Sequence, residues 1–355
     1  NALDGKTTVA INASNITTLS GTAADLITAY DSGGINGLGN ETVTLSDTTL
    51  AVSVLNILDG RTSGTIDASS INTLTGAAAD LNTAYTSAGI SGLNNEAVTL
   101  NDTTLAVSVL NDLDGRTSGA INASSINTLS GSAADLISAY DSGGITGLGN
   151  ETINVNSGTA STSQANALAA DTSGVVTATI SDGDMATLAG LNETGNAYSI
   201  TITDNSVAAA ALNALDGKTS VAINASNITT LTGAAADLNT AYASSGISNL
   251  GDEAVTLSDT TLAVSVLNTL DGHTSGVINA SSITTLTGTS AELIAAHASE
   301  GITGLQPLDT VRPTIAISSD IASLKAGDTA SLNFTLSEAS SDFIQSDVSV
   351  SGGTL

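Results

Sequence analysis

The sequence predicts an α/β solenoid, in which short parallel strands and helices alternate through many stacked coils. The stretch 42–93 returns almost verbatim from residue 97 and again from residue 254, and such repetition indicates a repeat architecture. Aromatic residues make up only 2% of the chain, which favours thin aliphatic layers over a core of large rings. Short alternating segments also precede segments with helical periodicity, which predicts a strand and a helix in every coil.

The tripeptide Leu-Asp-Gly marks the period of the repeat. It begins at Leu3, Leu58, Leu113, Leu215 and Leu270. These starts are evenly spaced except between Leu113 and Leu215, where the interval is nearly twice as long and contains a degenerate copy at 165–181. The chain begins in the middle of a repeat, so we expect it to be a piece of a longer protein.

Each 55-residue unit divides into two coils. In the first coil, Val43 and Leu45 alternate with polar residues, as in a half-buried strand. Leu50, Val54 and Leu58 then recur at the spacing of one face of a helix. The alternative is an all-β parallel β-helix, in which the segment 50–56 is a strand. The Ala-rich segments of the second coil favour the α/β interpretation.

Helix ends carry their own signals. We expect Asp47 to cap the N-terminus of the first helix, and Gly60 to end it in a left-handed conformation. The second helix begins with a capping box. The hydroxyl residues of these boxes are Thr22, Ser132 and Thr289. Alanine takes this place at Ala77 and Ala234, so the box is not essential.

The pattern changes after residue 305, which predicts a repeat solenoid at 1–305. Pro307 and Pro313 are the only prolines of the chain and bracket a linker at 306–312. From 313 to 355, apolar and polar residues alternate as in half-buried strands. We interpret this segment as the start of a β-sandwich, since a complete one needs ~100 residues.

The C-terminal segment resembles the bacterial Ig-like domains of large surface adhesins, through PTIAISSD, LKAGDTASLNFTLSE and SDVSVSGGTL. The repeats resemble those of giant secreted proteins of cyanobacteria and other Gram-negative bacteria, through LNTLDG, INASSITTLTG and ADLNTAYASSGI. These resemblances imply an extracellular location at the bacterial cell surface. They also imply a structural or adhesive role, as in adhesins, filaments and biofilms.

Charge and composition argue against several partners. The net charge is −28 with only six Lys and Arg, whereas a nucleic-acid partner requires basic groups. The same charge disfavours an anionic membrane surface. No apolar run reaches the ~18 residues of a membrane-spanning helix, so we expect no membrane insertion.

The basic residues of the repeats occupy one recurring position. Lys6, Arg61, Arg116 and Lys218 follow the Gly of Leu-Asp-Gly, and His273 takes this place in the last copy. One interpretation is a cation at a helix end, paired locally with the Asp two residues earlier. The other is an interaction stripe that contacts a neighbouring acidic molecule.

Calcium is the one cofactor for which candidate residues exist. Asp182 and Asp184 lie in one short loop, and Asp309 lies in the linker, and Ca²⁺ takes several oxygen ligands from such loops. The calcium-binding nonapeptide repeat of β-rolls is absent. The other acids of the solenoid occupy helix-capping positions. We expect no other cofactor.

Catalytic groups are scarce, and we expect a protein that is not an enzyme. His273 and His297 replace structural residues of other copies, and the chain has no cysteine. The outward strand residues Asn12, Thr44 and Asp67 do not form the uniform threonine array of an ice-binding face.

The sequence therefore predicts a non-enzymatic, extracellular structural protein, a repetitive segment of a surface fibre, surface layer or large adhesin. The alternative is an adhesin module that binds glycans or other surfaces through its strands. We expect the chain to associate with itself or with neighbouring surface proteins.

Overall fold

The computed structural model of the chain describes residues 2–307, 314–337 and 343–349. The chain divides into two compact units, Asn1–Leu305 and Gln306–Leu355. None of the helices within the described stretches has both the length and the apolar character needed to cross a membrane.

The first unit contains helices that recur at regular intervals. They are α1 (Ala23–Tyr30), α2 (Val52–Asp59), α3 (Ala78–Thr86), α4 (Val107–Asp114), α5 (Ala133–Asp141), α6 (Thr162–Asp171), α7 (Met185–Leu188), α8 (Ala209–Asp216), α9 (Ala235–Ala243), α10 (Val264–Asp271) and α11 (Ser290–Ala298). A 3₁₀ turn at Asp4–Lys6 precedes them. Outside the interval 162–209, a slightly longer and a slightly shorter spacing alternate between successive helix starts.

Short strands occupy the segments between the helices. Those of the first half are β1 (Ile11–Asn12), β2 (Thr18–Gly21), β3 (Ile35–Asn36), β4 (Thr42–Leu45), β5 (Thr49–Ala51), β6 (Ile66–Asp67), β7 (Thr73–Gly76), β8 (Ile90–Ser91), β9 (Ala97–Leu100), β10 (Thr104–Ala106), β11 (Ile121–Asn122), β12 (Thr128–Gly131) and β13 (Ile145–Thr146). Those of the second half are β14 (Thr152–Val155), β15 (Val176–Thr179), β16 (Ala197–Ser199), β17 (Ser206–Ala208), β18 (Ile223–Asn224), β19 (Thr230–Gly233), β20 (Ile247–Ser248), β21 (Ala254–Leu257), β22 (Thr261–Ala263), β23 (Ile278–Asn279), β24 (Thr285–Thr287) and β25 (Ile302–Thr303).

These strands pair in parallel with strands of the neighbouring coils. One ladder runs through Leu50, Leu74, Val98, Ile121 and Ile145 in the sheet β5–β7–β9–β11–β13. Successive residues of this ladder are separated by fewer residues than successive helix starts are. Each further strand of the ladder therefore lies at a greater distance in sequence before the next helix. The ladder ends at β13, since one further step of the same length beyond Ile145 falls within α6. Each sheet therefore stays short, although the coils continue.

The repeated parallel strand–helix units confirm the predicted solenoid-like α/β architecture. Leu55 and Leu58 of α2, Ile66 of β6, Leu74 of β7 and Leu81 of α3 are fully buried. Burial of each such side chain contributes ~1.5–3 kcal/mol. Every coil supplies a similar set, so the free energy of unfolding is distributed along the solenoid.

The detailed prediction for the first helix is wrong in its start. Leu50 lies in β5, and α2 begins only at Val52. Its buried face is Val52, Leu55 and Leu58, whereas Val54 is half-buried. The all-β alternative is wrong for this segment, because only its first residues are strand.

Both predicted caps of this helix are also wrong. Gly60 has φ −73°, a right-handed value, because the helix ends in a further tight turn in which Gly60 N–H donates to Asn56 O. Asp47 accepts from Ala23 N–H of α1 at 2.8 Å. Strand pairing places Asp47 beside the previous coil, where its carboxylate binds the N-terminus of α1 and not that of α2.

The second helix of each unit begins as predicted where a hydroxyl is present. Thr22 and Ser132 accept from the backbone N–H three residues later. Thr289 and Glu292 form a complete reciprocal capping box. Ala77 and Ala234 provide no side-chain cap. There, aspartates of the next coil bind the helix end: Asp102 at Ala78 N–H and Asp259 at Ala235 N–H, both at 2.8 Å.

The second unit contains an antiparallel pair, β26 (Ile315–Ser319) and β27 (Leu332–Leu336). A 3₁₀ turn follows at Gln345–Asp347. This pair fits the predicted Ig-like domain. Residues 308–312 of the predicted linker lie outside the described residues.

Candidate functional site

Among the described residues of this acidic chain, four glutamates are buried between the coils. They are Glu41, Glu96, Glu151 and Glu253, each at most 1% exposed. Each lies directly before a strand: β4, β9, β14 or β21. A buried carboxylate is costly unless hydrogen bonds replace its lost water, so the partners of these groups define the coil junction.

A tyrosine of the preceding helix supplies the main side-chain partner. Tyr85 Oη donates to Glu96 Oε2 at 3.0 Å, and Asn94 N–H donates to Glu96 Oε1 at 2.9 Å. The other copies repeat the tyrosine bond with the pairs Tyr30–Glu41, Tyr140–Glu151 and Tyr242–Glu253. At Glu41 the tyrosine and Gly39 N–H both donate to Oε2, and the buried Oε1 has no hydrogen-bond partner among the described residues. The carboxylates are thus held by neutral donors.

These tyrosines are strongly perturbed by their surroundings. Burial raises the pKa of Tyr30 to about 12, and the nearby Glu41 carboxylate adds to the shift. The pKa values of Tyr85, Tyr140 and Tyr242 are raised for the same physical reasons. Each phenol therefore stays protonated, and able to donate, above the pH at which an ordinary tyrosine ionises.

A threonine of the following coil binds the backbone of the same glutamate. Thr117 Oγ1 donates to Glu96 O at 3.2 Å and accepts from Gly119 N–H at 3.0 Å. A Cβ on Gly119 would collide with Glu96 O. Glycine leaves room for this close approach in the Thr-Ser-Gly copies, whereas the copy at Thr219 makes the same threonine bonds with Val221 in the glycine position.

The aspartate of Leu-Asp-Gly connects its helix to the next coil. Ser87 Oγ donates to Asp59 Oδ2 at 2.7 Å and accepts from Gly89 N–H at 3.0 Å. The same bond joins Asp4, Asp114, Asp216 and Asp271 to the serine of the corresponding position in the next coil. This aspartate therefore fastens coils together.

Three cations of the predicted interaction stripe bond to separate local partners. Arg61 pairs with Asp31 at 3.0 Å, not with the aspartate two residues earlier. Arg116 Nε donates to Asn82 Oδ1 at 3.0 Å, and Lys218 Nζ donates to Asn192 O at 2.8 Å. In the degenerate copy this position is acidic, because Asp171 stands there.

The exposure of the stripe residues also varies. Lys6, Arg61, Arg116 and His273 are exposed, whereas Lys218 is half-buried. The ring of His273 lies 6.0 Å from the ring of Tyr242, centroid to centroid. The stripe as a contact surface stays a prediction.

The candidate calcium residues have local roles in the structure. Asp182 accepts from Thr162 N–H, the first residue of α6, at 2.6 Å. Asp184 caps α7 through Thr187 N–H, a hydrogen bond that lowers the pKa of the Asp184 carboxyl. Asp309 lies outside the described residues. Among those described, no group of three His, Cys, Asp or Glu side chains could hold a metal ion, so calcium stays a prediction.

Comparison with known proteins adds one family. Residues 309–355 match the bacterial Ig-like domain, a kind of domain that suggests surface or extracellular proteins. No curated protein and no solved structure matches the chain. The family match lies outside the repeats, so their resemblance to giant secreted proteins stays an expectation.

The buried Tyr–Glu pairs are the feature that sequence reasoning missed. A signal for them exists, since the separation between tyrosine and glutamate is the same in every pair and three of the pairs recur with the period of the repeat. A charged residue in a short polar loop is ordinarily solvated, so this spacing alone does not predict burial.

Proposed function

We propose that this chain is a non-enzymatic structural segment of an extracellular bacterial surface protein, and that it supplies length and mechanical continuity to a fibre, layer or adhesin. The observation that carries the proposal is the repeated coil junction. The four junctions with a Tyr–Glu pair also have an Asp–Ser bond and parallel backbone pairing, as at Tyr85–Glu96 with Asp59–Ser87. Such a solenoid extends by adding coils, and each coil contacts only its neighbours.

The Ig-like match supports the extracellular part of the proposal, because such domains suggest surface proteins. The acidic surface supports it as well, because strong like charge keeps separate molecules soluble at high density. An assembly of such chains needs either a neutral contact face or cations between neighbouring chains.

Electron microscopy of the purified native material, before and after calcium chelation, tests the proposal. We expect filaments or a lattice with a regular repeat. Loss of this order after chelation would show that calcium bridges the contacts between neighbouring chains. Isolated particles in both conditions, together with specific retention on a glycan array, would contradict a structural role in favour of glycan adhesion.

A further inference from the structure

The outward faces of the solenoid sheets carry almost no charge, although the chain has a net charge of −28. In the sheet β5–β7–β9–β11–β13, the outward positions include Thr49, Thr73, Thr75, Thr99, Asn122 and Thr146. The sheets β10–β12–β14–β15–β16 and β17–β19–β21–β23–β25 likewise present only Thr, Ser, Asn and Ala. Among the described strands of residues 2–305, Asp67 is the one acid at an outward position.

The acids lie on other surfaces of the same coils. Asp25, Asp80, Asp135 and Asp237 occupy the first turns of α1, α3, α5 and α9. Two copies of so acidic a chain repel one another wherever these surfaces meet. The sheet faces are the surfaces at which two copies can approach without that repulsion.

From this charge distribution we propose that the outward sheet faces are self-association surfaces, and that their occupant is a second copy of this chain. The inference rests on the proposed structural function and assigns its contact surface. Strands repeat every ~4.8 Å, and alternate residues along a strand lie ~6.8 Å apart. A second copy has the same two spacings. A side-chain contact that forms between one pair of facing strands can therefore repeat along the whole face.

The side chains of this face suit such a contact. The hydroxyls of Thr73, Thr75 and Thr99 form no hydrogen bond within the part of the chain that the structure describes, and they can pair across an interface. Threonine is short and β-branched, so it loses little rotamer entropy when it is covered. A sugar-binding platform would instead expose aromatic rings. The tyrosines of the solenoid lie in helices or, at Tyr198, in the core.

The size of the face determines how the association should behave. A sheet of five short strands is ~24 Å wide and presents a few hundred Å², less than the ~800 Å² per partner of a stable interface. One sheet therefore gives a weak contact, and stable association needs several sheets to engage together. We expect association that depends steeply on concentration.

The repeats provide substitutions that the fold already accepts. Asn122→Asp and Asn279→Asp introduce one aspartate into each of two neutral sheets, at the strand position that Asp67 occupies naturally in β6. Asp67 Oδ1 accepts from the N–H two residues later, as the Asn122 and Asn279 side chains do. The matched control is the double variant Ile57→Asp with Thr269→Asp. Both residues are exposed, on α2 and α10, and the equivalent residue of α4 is already an aspartate, Asp112. Both double variants add the same charge.

Sedimentation velocity of the full chain over a concentration series tests the inference, with circular dichroism melts as a check of folding. At low salt we expect the sheet variant to weaken association by about tenfold or more, because like charges face one another across the interface. The helix variant should match the unchanged chain within about twofold, and Asp67→Asn should strengthen association.

Equal effects of the two double variants would overturn the inference, because they would reflect net charge alone. A chain that stays monomeric at every concentration would overturn it as well. Filaments of the native material would then still support the structural function through another surface. Binding of the chain to insoluble cellulose or chitin that the sheet variant abolishes would assign the face to glycans instead.

Discussion

The regular repeats and the irregular segment from α6 to β16, called here the degenerate unit, place different side chains at the same position of the core. In the regular repeats, a helix tyrosine and a buried glutamate meet at the junction, as Tyr242 and Glu253 do. In the degenerate unit, Tyr198 takes the place that Glu253 occupies in the next unit, and it is 1% exposed. Thr219 donates to Tyr198 O at 2.7 Å, just as Thr274 donates to Glu253 O.

The preceding helix explains this exchange. The helix before Tyr198 is α7, which is a single turn and has no tyrosine, so the phenol comes from the strand itself. In the last copy His297 replaces the tyrosine, and the position of the glutamate is taken by Leu308. Tyrosine and glutamate are thus kept together or lost together, which indicates that they act as one unit.

The largest expected effect is the loss of the whole tyrosine from a regular junction. Tyr85→Ala removes the ring and leaves the buried Glu96 without its side-chain donor, so we expect a cost of about 3–5 kcal/mol. Hydrogen exchange should locate the destabilisation at α3 and β9. Thr83→Ala, on the exposed face of the same helix, is the control. A similar loss in both variants would contradict a special role of the junction.

Removal of the hydroxyl alone separates the two kinds of junction. Tyr85→Phe leaves a buried carboxylate oxygen without its phenol donor, which should cost about 1–3 kcal/mol. Tyr198→Phe removes only a long 3.4 Å bond to Ala165 O, so its cost should stay below ~1 kcal/mol. Urea unfolding of both variants measures the difference. Equal costs would show that the buried glutamate does not require the phenol.

High pH should weaken the junctions through the tyrosines. In the unfolded chain they ionise near pH ~10, whereas burial raises the pKa of Tyr30 to about 12. The unfolded state therefore loses protons first, and stability should fall as pH rises from about 10 to about 12. Melting curves across this range, with tyrosinate absorbance, measure the effect. A melting temperature that stays constant to pH ~12 would contradict the raised pKa values.

A small effect is expected from the loss of a helix cap that the next coil supplies. Asp102→Ala removes the carboxylate that binds Ala78 N–H of α3, which should cost about 1 kcal/mol. Asp112→Ala, an exposed acid on α4, controls for the change in charge. The two variants should differ in thermal unfolding. If they melt alike, the cap contributes nothing measurable.

The sequence alone could predict contacts within one coil better than contacts between coils. The caps at Thr22, Ser132 and Thr289 are local, and the structure confirms them. The nearest helix after Asp47 is α2, but the strand ladder brings this residue to α1 of the previous coil. The burial of Glu96 could not be predicted, because it depends on a tyrosine of the preceding helix and on the threonine of the next coil.

Force spectroscopy of the full chain, held at its two ends, tests the central claim that these junctions carry mechanical load. Because each coil contacts only its neighbours, we predict stepwise unfolding of the solenoid. One repeat unit should release about 190 Å of extended chain, at ~3.4 Å per residue. Tyr85→Ala should lower the force of at least one step. Smooth extension at low force, with no steps and no change in the variant, would contradict the claim.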